Sequence, residues 1–137
     1  MRTKCTGTIH VPLAPDDALT LFTPEGERAW VPGWNPAFPE EAADETAPGT
    51  TFTTDHGGAH TFWVVADRKP DAMRYARVTP GVYAGTVEVR CEPDGAATRA
   101  HVTYDLTALG DPRRLDEFTA GYEAMLAEWE RLIRAAC

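Results

Sequence analysis

The side chains able to move protons or attack carbon are few: His10, His56, His60 and His101; Tyr75, Tyr83, Tyr104 and Tyr122; and Cys5, Cys91 and Cys137. His56 has the most informative neighbours. It precedes Gly57-Gly58, and a Gly-Gly pair between two alternating segments marks a two-residue hairpin turn. Such a turn pairs His56 with Ala59, Thr54 with Thr61 and Phe52 with Trp63, and paired residues share a face. Phe52, Trp63 and Val65 make that face apolar, so Thr54 and His56 point inward while Asp55 and His60 pair outside. A slip of one residue inverts the assignment. Imidazole titrates near working pH, so His56 is a candidate base or hydrogen-bond donor at a cavity mouth. The alternative is a structural histidine satisfied by backbone or water. His10, His60 and His101 read as solvent-facing.

The tyrosines come next. Tyr75, Tyr83 and Tyr104 fall on strand segments and Tyr122 on a helical stripe. A phenol joins apolar bulk to one polar tip, which suits a pocket that must orient a mostly apolar guest, and equally suits the edge of a core. Trp30, Trp34 and Phe38, in WVPGWNPAF, either close over a guest or pin their own loop. Cys5 and Cys91 sit in alternating apolar stretches and read as buried thiols.

Other chemistry is not signalled. The chain has no GxSxG, HExxH, phosphate-binding loop or dinucleotide fingerprint. It has no His–Cys metal spacing, and Glu40, Glu41, Asp44 and Glu45 converge on no ligand set. No metal and no cofactor are expected, so any catalysis rests on proton transfer. Lys plus Arg number 13 against 21 Asp plus Glu, a net charge of −8. That balance makes nucleic acid and anionic membranes poor partners, and it disfavours anionic head groups as the main source of affinity. Three cysteines without a CxxC point to a reducing cytoplasm. No apolar run approaches the roughly 18 residues of a membrane span, and MRTKCTGTIHV lacks a signal-peptide core. A soluble cytoplasmic protein, monomer or homodimer, is expected.

The elements that must hold these residues are legible from periodicity. Asp111 caps a helix that opens on Pro112 and runs to about Ala135, with Leu115, Phe118, Tyr122, Met125, Leu126, Trp129, Leu132 and Ile133 in one stripe. At 1.5 Å per residue it is about 36 Å long, the full diameter of a 137-residue domain. Gly121 lies inside it at a cost of about 1 kcal/mol relative to Ala. Strands are expected at Thr3–Val11, Thr50–His56, His60–Asp67, Ala72–Thr79, Val82–Glu92 and Thr98–Ala108, a one-sided antiparallel meander after the first. Two short helical segments, Pro15–Thr23 and the marginal Pro24–Trp30, precede a Pro- and Gly-rich stretch from Val31 to Gly49 with room for a short edge strand at Ala37–Glu41.

This order resembles the START-like, or SRPBCC, superfamily, which includes polyketide cyclase/dehydrase and lipid-transport proteins. The resemblance is carried by TIHVPLAPDDALTLFT, GTTFTTDHGG, TFWVVADRKPDAMRYARVTPG, GTVEVRCEPDGAATRAHVTYDL and EFTAGYEAMLAEWERLI. It implies an α+β helix-grip fold in a single domain over residues 1–137. A curved antiparallel sheet of six or seven strands would wrap the long C-terminal helix, with two short helices after the first strand bordering the mouth of an apolar cavity. Cavity contacts are then expected from Trp34, Phe52, Thr54, Trp63, Tyr75, Tyr83, Tyr104, Phe118, Tyr122, Met125 and Trp129. Three functions are open. One is binding of a small apolar, ring-containing molecule. A second is a cyclase/dehydratase-type reaction using His56 and tyrosine hydroxyls. The third is a protein-interaction domain resembling the chaperone-ATPase activators.

Overall fold

The computed structural model describes residues 1–137. Six strands form one curved antiparallel sheet: β1 (Arg2–Val11), β2 (Thr51–His56), β3 (Ala59–Lys69), β4 (Ala72–Thr79), β5 (Tyr83–Asp94) and β6 (Ala97–Ala108). Their spatial order is β1-β6-β5-β4-β3-β2, so only β1 pairs out of sequence. Gly57 and Gly58 adopt φ of 62° and 79°, the left-handed pair that a two-residue hairpin turn requires. The register follows from that turn: His56 faces Ala59, Thr54 faces Thr61 and Phe52 faces Trp63. A register shift between Val65 and Asp67 bends β3 and adds twist. On β5, Gly85 lies so close to β6 that an added Cβ would sit 1.8 Å from the Asp105 carbonyl oxygen.

The concave face is apolar as the alternation requires. Val87, Val89 and Cys91 on β5 and Ala100, Val102, Tyr104 and Leu106 on β6 are all buried. Cys5 and Cys91 are buried free thiols, and burial pushes Cys91 up to about 11, where it stays protonated. Helix α1 (Pro15–Thr20) buries Ala18 and Leu19 and packs on β5 and β6.

Three expectations need correction. The C-terminal helix is not continuous: α2 (Pro112–Ala120) and α3 (Tyr122–Ala136) meet at Gly121, whose φ of −92° and ψ of 1° leave the helical region. Two residues explain the break. Gly121 has no side chain to hold helical dihedrals, and the Thr119 hydroxyl back-bonds to the Leu115 carbonyl at 3.0 Å, a contact that bends helices. Hydrogen bonds from Gly121 N to Glu117 O and from Met125 N to Gly121 O still bridge the joint. The second short helix shrinks to one 3-10 turn, Gly26–Ala29. The edge strand near Ala37–Glu41 is a single bridge between Ala37 and Thr53, because Pro36 and Pro39 supply no N–H for a longer ladder.

The helical stripe has two parts. Leu115, Tyr122, Leu126 and Ile133 are buried, and α3 packs on β1. Phe118, Met125 and Trp129 lie three residues after Leu115, Tyr122 and Leu126, about 60° round the helix at 3.6 residues per turn, and with Leu132 are only half-buried. Close packing on β1 is possible because Gly7 has no Cβ; one placed there would lie 2.3 Å from Leu126 Cδ1.

Candidate functional site

Between the concave sheet and the half-buried stripe lies a cavity of about 300 Å³, at the lower end of the range for small-molecule sites. One wall comes from β2, β3 and β4. Phe52 stacks on Trp63 with centroids 5.7 Å apart and an interplanar angle of 2°, and Tyr75 meets both edge-on at 6.2 and 6.0 Å. Trp34 closes on Phe52 and Trp63 from the loop after the 3-10 turn. The other wall is Tyr104, Phe118 and Tyr83, with Phe118 5.0 Å from Tyr104 and 5.9 Å from Tyr83. Met125 and Trp129 complete it from α3.

The polar atoms on these walls are mostly occupied. Trp63 Nε1 donates to Thr54 Oγ1 at 3.0 Å, and the Thr61 and Thr79 hydroxyls meet at 2.7 Å. The Tyr75 hydroxyl donates to the Phe22 carbonyl at 2.7 Å. Burial raises the phenols of Tyr75 and Tyr104, so both are neutral hydrogen-bonding groups. His56 lines the cavity at an exposed position, with Nε2 donating to the Pro32 carbonyl at 2.9 Å. That bond commits the Nε2 proton and leaves Nδ1 as the ring's acceptor when neutral. His60 lies on the opposite face, its Nδ1 2.6 Å from Asp55 Oδ1.

Trp34, Phe52, Thr54, His56, Trp63, Tyr75, Tyr83, Tyr104, Phe118, Met125 and Trp129 therefore line the same cavity. Tyr122 does not. Its ring is buried and its hydroxyl donates to the Val102 carbonyl at 2.7 Å, so it joins helix to sheet behind the wall. The aromatic loop is pinned: Trp30 Nε1 donates to Leu21 O at 2.7 Å, and Trp34 Nε1 to Pro24 O at 2.8 Å.

Three ionisable groups on the wall escaped the sequence reading. Glu27, on the 3-10 turn, reaches the cavity, and burial alone pushes its carboxyl up to about 8. Arg77, on β4, also faces inward. Its guanidinium carbon lies 4.7 Å from the Trp63 ring centroid and 5.4 Å from that of Tyr83. Arg77 Nη2 donates to Thr79 Oγ1 at 3.0 Å, whereas its Nε is buried with no hydrogen-bond partner. The signal for Arg77 was available: Met73, Tyr75 and Thr79 are buried, and Arg77 stands in phase with them. Arg114 joins the wall from the exposed side of α2.

A sequence profile described as polyketide cyclase / dehydrase and lipid transport matches residues 2–135. No curated protein sequence matches the chain. Among solved structures, DynU16 from the dynemicin biosynthetic locus superposes with a TM-score of 0.69 at 19% identity over 96% of this chain. The chain spans about half of DynU16, 47% of its length. CalU16 from Micromonospora echinospora gives 0.69 at 18% identity, covering 98% of this chain and 76% of that one. MLL2253 from Mesorhizobium loti gives 0.70 at 14% identity, covering 97% and 98%. Identities this low speak for the fold alone.

Proposed function

Because this chain belongs to the polyketide cyclase / dehydrase and lipid transport family, we propose that its cavity is the working site and takes up a small, largely apolar, ring-containing molecule. The observation that carries this reading is the aromatic cavity of about 300 Å³ between sheet and helix. A face built only to pack would have filled that space, since protein interiors reach the density of organic crystals. Flat aromatic walls favour a guest that stacks or meets them edge-on. The cavity also favours a small-molecule role over an interaction domain, which needs no internal space.

N-phenyl-1-naphthylamine, an uncharged fluorescent probe, tests the reading. It should bind the folded protein with low-micromolar affinity and be displaced by polycyclic aromatic carbonyl compounds. Trp129→Ala should weaken binding by about tenfold, because it removes one aromatic side of the wall. Absence of binding to folded protein, together with recovery of a stable protein partner, would replace this reading with the interaction-domain one.

A cyclase/dehydratase-type reaction is the second reading, favoured by one observation. The same cavity holds a half-buried carboxyl that keeps its proton to about pH 8, Glu27, and an imidazole at its rim, His56. Under this reading His56→Ala should abolish turnover of an enolisable aromatic ketone while leaving probe affinity within about threefold.

A further inference from the structure

The charge of the cavity does not follow the charge of the chain. The protein carries −8, yet the ionisable groups on the cavity wall are Arg77, Arg114, His56 and a single carboxyl, Glu27, beside the phenols of Tyr75, Tyr83 and Tyr104. Two guanidiniums, Arg77 and Arg114, outnumber the one carboxyl, Glu27, whose ionisation burial opposes. The lining is therefore cationic inside an acidic protein.

Arg77 is also held in place. Trp63 and Tyr83 lie against its guanidinium, and the Thr61–Thr79 hydroxyl pair fixes one of its nitrogens. The aromatic contacts stabilise its charge but supply no hydrogen-bond acceptor. No carboxylate pairs with it, and its Nε–H is buried without a partner. Burying a cation without a counter-charge is costly, and a guest oxygen anion against the guanidinium would offset that cost.

We propose that Arg77 anchors an anionic oxygen group, and that the cavity's ligand is a ring-containing carboxylate with its charged end on Arg77 and its apolar body among the aromatic side chains. The planar guanidinium, fixed by ring contacts and by Thr79, presents its remaining N–H groups as a ready fork for a carboxylate. Arg114 at the rim draws an anion toward the mouth. The inference rests on the cavity being a ligand site, and it reverses the expectation that net acidity disfavours anionic guests.

Calorimetry at about pH 7 with 2-naphthoate and 2-naphthamide, near-isosteres differing in charge, tests it. Wild type should bind 2-naphthoate at least about tenfold more tightly than the amide. Arg77→Met, which keeps the apolar stem, should remove that preference, so that the carboxylate binds no more tightly than the amide. Arg77→Lys should keep part of it, since it retains the charge and loses the fork. Equal or tighter binding of the amide by wild type, or a preference that survives in Arg77→Met, overturns the anchor. If the neutral probe binds wild type and the carboxylate shows no advantage, the anchor falls and the cavity reading stands; if the probe does not bind, both fall. Should Arg77→Met fail to fold by circular dichroism, the wild-type comparison and Arg77→Lys decide the matter.

Discussion

Replacing Glu27 by Gln should change the protein's stability in a way that depends on pH. In the unfolded chain this carboxyl titrates at the ordinary 4.5, whereas burial in the folded protein pushes it up to about 8. The folded state therefore holds a proton that the unfolded state has released throughout that window. A raised carboxyl contributes stability that is fully present below 4.5 and gone above about 8, so wild type weakens as pH rises through the window. At about 1.36 kcal/mol per pH unit the ceiling on this loss is about 5 kcal/mol. Glu27 faces a cavity large enough for water, and partial solvation reduces the expected loss to about 1–3 kcal/mol. Gln has nearly the same shape and cannot ionise. Urea unfolding of both proteins from pH 4 to pH 9 should give curves that coincide within about 0.5 kcal/mol at the acid end. The variant should then gain steadily, reaching an advantage of about 1–3 kcal/mol above pH 8. A difference that stays flat with pH, or a wild type that is the more stable at pH 9, would show that the carboxyl is not held neutral by burial.

Two further outcomes follow from the packing. Leu126→Ala should cost about 2–5 kcal/mol in urea unfolding, because Leu126 is 6% exposed where α3 meets β1; a loss below about 0.5 kcal/mol would contradict that burial. Gly85→Ala should destabilise by at least about 2 kcal/mol, since its Cβ would meet backbone rather than a movable side chain, and hydrogen exchange should rise on β5 and β6 before it does on β2. Unchanged melting of that variant would mean the two strands are free to separate there.

How far the sequence alone could reach depended on whether a signal was local. The β2–β3 register was readable because Gly57-Gly58 allows essentially one hairpin geometry, and register then places every side chain on a face. The concave faces of β5 and β6 followed from strict alternation. Tyr122 shows where a local signal stops short. The stripe placed it inward, but a phenol that reaches Val102 O and one that reaches a cavity have the same spacing. Glu27 had no local signal: its segment carries Gly26 and a mixture of charges, and only the packing of the 3-10 turn over the sheet brings it inside. Arg77 is the opposite case, since its phase on β4 pointed inward. An arginine there runs against the rule that charges face water, and that conflict is itself a mark of a site.

The two-part stripe on the C-terminal helices separates the side chains that hold the fold from those that a guest would touch. Leu115, Leu126 and Ile133 are buried against the sheet, whereas Phe118, Met125 and Trp129 face the cavity half-buried. Exchanging one of the latter removes little fully buried surface and leaves the helix seated. The cavity can therefore be reshaped one residue at a time without crossing the threshold below which the protein unfolds. A scaffold of this kind is mutationally permissive where selectivity is decided and intolerant where architecture is decided, and that division makes it a good starting point for evolving new ligand preferences.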